Sequence, residues 1–141
     1  MSENTKKNII TFDTVKCVVD AFYTRVRNDE HLAPVFDGLI GRDDESWKPH
    51  LKTMYSFWST LMSSTEHFVG DHVQYKGNPM KKHMDIPAFE ENFFDRWLVL
   101  FHETAREFHT EDVAKHYIEA STRVAQSLRL ALYYKPDHNM K

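Results

Sequence analysis

The residues best suited to chemistry sit in one short segment. It reads GNPMKKHMDIP, residues 77–87, and holds His83 between Met80 and Met84, with a proline near either end. Asn78 is a good helix cap and Pro79 suits a first helical position. At the far end Pro87 pushes Ile86 out of the α region. The spacing predicts a helix of about two turns over 79–85. Met80, His83 and Met84 then fall at i, i+3 and i+4, on one face. Between thioethers, and with Lys81 and Lys82 alongside, a charged imidazole is disfavoured. The neutral ring is the form that ligates a transition metal. It is equally the form of a buried histidine bonded to a backbone carbonyl.

His50 leads a second pattern. His50, Met54, Phe57, Trp58 and Leu61 recur at helical spacing and form an apolar, aromatic wall with one polar residue near its mouth. A flat macrocycle fits between such a wall and the histidine helix; a plain core gives the same spacing. The aromatic load is heavy, with ten Phe and three Trp among 141 residues, and large rings line cores or flat ligands.

Other chemistries find little support. The chain has no GxSxG, GxxxxGK[ST] or HExxH pattern and no paired Glu-x-x-His, which disfavours a hydrolase, a phosphate loop, a zinc protease and a di-iron bundle. His102, His109 and His116 are spaced by sevens, but a break near Thr110 removes a common face. Cys17 is the one cysteine, so no internal disulfide or thiolate cluster is available. It lies among valines and reads as a core residue. A net charge of -3 gives no reason to expect nucleic acid. The apolar stretch near the start is too short for a signal peptide or anchor, and WLVLF, residues 97–101, is far below a membrane span. The expectation is a soluble cytoplasmic protein without a membrane partner.

The elements that must position these residues are helical. Residues 1–10 are polar and expected to be a flexible segment, 11–135 a single domain, and 136–141 a flexible tail. Val15, Val18, Val19, Phe22 and Val26 mark a first helix, capped by Thr11 or Asp13 and ending near Asn28. Residues 31–41 read as a turn. A second helix starts at Asp43 and Asp44 and runs through Leu61, with Pro49 tolerable only in its first turn. Residues 63–78 read as a long loop. Pro87 opens a third long helix that ends near Phe108, and a last helix runs from Val113 to its stop at Pro136. The class is all-α, with four substantial helices and one short one.

Together these pieces resemble the globins, most closely the group III truncated haemoglobins, over about 12–134. The resemblance is carried by Phe22-Tyr23, by Phe36 after a proline, and by W-K-x-H at 47–50. Phe57-Trp58, G-N-P-M-x-x-H at 77–83 and F-F-x-x-W at 93–97 complete it. Groups I and II carry Gly-Gly pairs; none of the four glycines here is adjacent to another. The connection 63–73 is longer and more polar than is usual for the family. It contains His67 and His72, read as surface residues.

The resemblance implies a globin-like, truncated two-over-two helical sandwich enclosing haem b. It implies His83 as proximal iron ligand and Phe36 packed on the haem face. Tyr23 and Trp97 become distal donors and His50 a distal donor or gate. Met54, Phe57 and Trp58 form the distal wall, and Met80 lies beside the proximal ligand. The ligands implied are O2, NO, CO or similar molecules. Two strong donors imply slow O2 release, which suits NO dioxygenation, peroxidase-like chemistry or sensing better than bulk O2 delivery. No flavin or nicotinamide pattern occurs, so a catalytic role needs a separate reductase. A helical interaction module without cofactor is the reading from a different class.

Overall fold

The computed structural model describes residues 6–72, 74–77 and 92–133. Among them are five helices: α1 (Phe12–Arg27), α2 (Ala33–Leu39), α3 (Asp44–Met62), α4 (Asn92–Phe108) and α5 (Glu111–Tyr133). The described residues form no sheet, only two isolated bridge pairs. Helix α1 packs on α3 and α4, α4 on α5, and α3 touches α5. The four long helices thus pack on one another, with α2 set against α1. The segment holding Met80, His83 and Met84 lies outside the described residues, as do 1–5 and 134–141. No helix among the described residues is long and apolar enough to cross a membrane.

Helix α1 begins where its caps dictate. The Thr11 hydroxyl accepts from the Thr14 amide at 3.1 Å, and the Thr14 hydroxyl accepts from the Thr11 amide at 2.9 Å. Two orphan donors are thereby satisfied reciprocally. Its buried stripe is Val15, Val18, Val19, Phe22, Tyr23 and Val26. Cys17 lies opposite that stripe and is exposed, which corrects its reading as core. Its valine neighbours at 18 and 19 face inward at 100° steps that carry position 17 outward.

Asp43 caps α3, accepting from the Ser46 amide at 3.0 Å. Pro49 is the sixth residue of α3, beyond the first turn expected for it. It removes the donor that would reach the Glu45 carbonyl, a loss that ordinarily costs about 3 kcal/mol. Burial of Trp47, Trp58 and Met62 along the same helix outweighs it. The core they join is an aromatic stack. Phe101 is fully buried, with Trp58 at 4.6 Å, Phe22 at 5.0 Å and Trp97 at 5.7 Å between ring centroids. The break near Thr110 is present, since α4 ends at Phe108 and α5 starts at Glu111.

Two segments differ from the expectations for them. Residues 31–41 hold a real helix, α2, too short and too poor in periodic apolar residues to show in the sequence. It is held from outside. The Asp29 carboxylate accepts from the amides of His31 at 3.1 Å and Leu32 at 3.0 Å, and from Arg96 Nε on α4 at 2.8 Å. Residues 6–10 are not a free end. The Lys7 amide donates to the Phe108 carbonyl at 2.8 Å, and the Ile10 amide donates to the His67 carbonyl at 2.9 Å. Ile10 is fully buried. Extended pairing with two distant turns leaves no local period to read.

Asp29 carries a pH dependence. Burial pushes its carboxyl up, but the Arg96 guanidinium and the Leu32 and His31 amides outweigh that and hold it below the usual carboxylate range. With the folded pKa below the unfolded one, its stabilisation is complete above about pH 4 and is lost as pH falls through the folded value. Denaturant titrations from pH 7 to pH 3 are expected to show a smaller acid loss of stability in Asp29→Asn than in the parent chain. At pH 7 the variant is expected to be less stable by about 2 kcal/mol.

Candidate functional site

Helix α3 carries two parallel stripes. One, Trp47, Trp58 and Met62, is buried against the core. Beside it, His50, Met54, Phe57 and Leu61 follow at i, i+4, i+7 and i+11 and stay half-buried. Phe36 from α2 and Phe93 and Leu98 from α4 are half-buried too, and all six apolar side chains pack against the core. The result is an apolar wall with one imidazole in it, backed by protein and incompletely covered in front.

Rings from four helices meet behind His50. The Tyr23 ring lies 5.1 Å from His50, 5.6 Å from Trp47 and 6.0 Å from Phe36, centroid to centroid. Trp47 is 5.5 Å from His50 and 5.9 Å from Phe36, and Phe36 is 5.9 Å from Phe93. Three of these six pairs meet edge to face, a geometry worth more than its buried area. Trp97 joins through Phe22, which is 4.8 Å from Tyr23 and 5.5 Å from Trp97.

Trp47 anchors the cluster. Its Nε1 donates to the Gly41 carbonyl at 2.9 Å, and the Arg27 guanidinium lies over its ring at 5.0 Å. Gly41 has a φ of +131° and a Cβ there would meet Ser46 Cβ at 3.0 Å, so the turn that presents this carbonyl needs glycine. Tyr23 is buried, and burial pushes its phenol far above the ordinary tyrosine value. The hydroxyl therefore stays protonated and can act as a donor at any physiological pH.

Of the residues singled out from sequence, Tyr23, Phe36 and His50 come into direct contact. Met54 and Phe57 line the same wall, and Trp97 stands one ring behind. Trp58 lies in the buried stripe of α3, stacked on Phe101 and tilted against Tyr117 at 6.3 Å, with its ring edge-on to Phe57 at 5.4 Å. His83 and Met80 lie outside the described residues. Sequence reasoning passed over Trp47 and Phe93 as site residues, although both stand in the quoted motifs. His67 is not simply a surface residue: its side chain is 23% exposed and its ring sits 5.2 Å from that of His116.

No family model matches the chain. It is 32% identical over 133 residues to the group 3 truncated haemoglobin ctb of Campylobacter jejuni, covering 94% of this chain and 99% of that one. The crystal structure of the group III truncated haemoglobin from Campylobacter jejuni superposes with a TM-score of 0.80, at 32% identity over the same shares of both chains.

Proposed function

Since the chain belongs to the truncated haemoglobins, group III, which are haem globins, we propose that it holds haem b through His83 and binds a small diatomic ligand such as O2, NO or CO. The observation that carries this reading is the wall on α3: half-buried apolar side chains, one imidazole, and a buried neutral phenol behind it. A flat, largely apolar macrocycle is the kind of group that such a face takes. His50, Met54, Phe57 and Phe36 would hold it on the described side. His83 and Met80 would hold it from the segment 77–87. When bound, haem supplies a metal centre that takes a diatomic molecule and shifts electron density onto it.

The chain's own residues decide what happens to that ligand. Tyr23 and Trp97 donate hydrogen bonds, and donors fixed in a dry pocket stabilise developing negative charge without reorganisation. Phe22, packed edge-on to both rings, holds their relative placement. His50, half-buried on the wall, serves as donor or gate. Slow release of O2 then suits NO dioxygenation, in which NO, O2 and one electron yield nitrate, better than bulk delivery. The electron comes from a separate reductase.

An absorption spectrum of the purified protein, oxidised, reduced and under CO, tests the reading. An intense haem band that shifts with CO is expected. No such band, even after added hemin, overturns it. Following the same band by stopped flow, Tyr23→Phe and Trp97→Phe are each expected to raise the O2 dissociation rate about 10- to 100-fold, the worth of one hydrogen bond to a charged acceptor. Unchanged rates in both variants would remove the distal roles while leaving the haem.

A further inference from the structure

Where the turn after α3 meets α5, a carboxylate oxygen of Glu66 and imidazole nitrogens of His67 and His116 lie within 4.8 Å of one another. We propose that this trio is a binding site for a divalent transition-metal ion of the zinc class, opening onto a groove that Phe57 and Leu61 of the α3 wall also line. Two imidazoles and one carboxylate are a donor set of zinc sites that keep one position open. Imidazole also sets the class, because calcium and magnesium prefer all-oxygen surroundings.

Backbone contacts fix both arms of the site. His67 sits in a turn whose ends are tied down. Its carbonyl accepts from the Ile10 amide at 2.9 Å, the Val69 amide donates to the Ile10 carbonyl at 2.8 Å, and the Thr65 amide donates to the Met62 carbonyl at 3.0 Å. His116 is the sixth residue of α5, on regular helix. The two rings are 5.2 Å apart and inclined at 56°. Sequence distance hides the arrangement, since 49 positions separate the histidines.

The donors are not used up by the protein. His116 Nε2 is buried with no hydrogen-bond partner among the described residues. Such an atom calls for an explanation, and an unseen ion is one of the standard ones. His67 Nε2 is 3.7 Å from Glu66 Oε1, too far for a hydrogen bond. Glu66 itself is exposed, with its side chain 83% accessible, so it is free to swing in. Zinc bonds of about 2.0–2.1 Å need the three donors closer together than they stand; the exposed carboxylate can move in, and the imidazoles must close by rotation of their side chains. Entry is open: Glu66 and His116 line a groove of about 570 Å³ between α3 and α5, and Glu119, one turn along, adds a second carboxylate to it. Arg123 lines the groove farther along and opposes part of that charge.

The test is calorimetric titration of the purified haem-containing chain with Zn²⁺. One tight equivalent is expected. His67→Gln and His116→Gln, which keep side-chain size and polarity, are each expected to weaken it about 100-fold. His31→Gln, on a side chain 72% exposed and away from the site, is expected to leave it unchanged. Zinc is also expected to slow hydrogen exchange at the Ile10 and Val69 amides in the parent chain but not in the double variant. An unaltered CO-shifted spectrum in each variant reports that it is folded. Equal zinc affinity in the His67→Gln/His116→Gln double variant, or no tight equivalent in the parent, would sink the proposal.

Discussion

His83→Ala is expected to yield a chain that no longer holds haem through a protein nitrogen: the reduced, CO-shifted band is lost or reduced to that of loosely bound hemin. Added imidazole is expected to restore part of it by filling the space the ring leaves. The argument is chemical. Haem iron in globins is held by one imidazole, and removing it deletes the single strong bond between iron and chain. In the segment 77–87 the only nitrogen ligand is His83, since the lysines are charged at neutral pH. The sequence spacing predicts a helix face that sets it between Met80 and Met84. His50, on α3 and 5.1 Å from the Tyr23 ring, is the natural control. His50→Ala is expected to retain the haem band and change ligand rates. Were His50→Ala to lose the band and His83→Ala to keep it, the two roles would be exchanged.

Trp47→Ala is the second large effect, expected to cost about 3–5 kcal/mol in chemical denaturation, the range for emptying a buried aromatic site. Trp47 is 1% exposed and touches Tyr23, Phe36 and His50 at once. Its loss therefore opens a cavity at the joint of α1, α2 and α3. Trp47→Phe separates the two contributions. It keeps most of the ring volume and forfeits the bond from Nε1 to the Gly41 carbonyl, expected at about 1 kcal/mol. Because His50 rests edge-on against the Trp47 ring, both variants are also expected to alter ligand association rates. A stability change below about 1 kcal/mol in Trp47→Ala would mean that the site collapses freely, against the close packing observed.

Where the chain folds by local rules, its sequence was readable. Thr11, Asp43 and the stripes of Val15 to Val26 and of His50 to Leu61 mark their helices by capping chemistry and period, and α1 and α3 begin where those residues predict. The gap at Thr110 was equally plain. What depends on distant partners was hidden. Helix α2 is fastened by Asp29 and Arg96, which are 67 positions apart, and Lys7 binds the His109 ring across 102. Neither leaves a trace in a window of a dozen residues. The same limit applies to the site. The wall on α3 follows from spacing, but that Tyr23 and Phe36 meet His50 was legible only through family resemblance. That Trp58 turns inward while Phe57 faces the wall depends on a single helical step, finer than an apolar pattern resolves.

The pairing of residues 6–10 with the turns at 67–69 and 108–110 bears on the order in which the chain takes shape during synthesis. Lys7 leaves the ribosome long before Phe108, whose carbonyl awaits its amide. Some hundred residues, or several seconds of translation at ordinary rates of about 5–20 residues per second, must pass before that seat exists. Ile10, which ends fully buried, has its backbone partners at His67 and Val69 and can pair sooner. Closure of the leading segment at Lys7 is thus a late event that reports completion of α4, and a fusion partner placed directly before Lys7 acts on that last step rather than on the first.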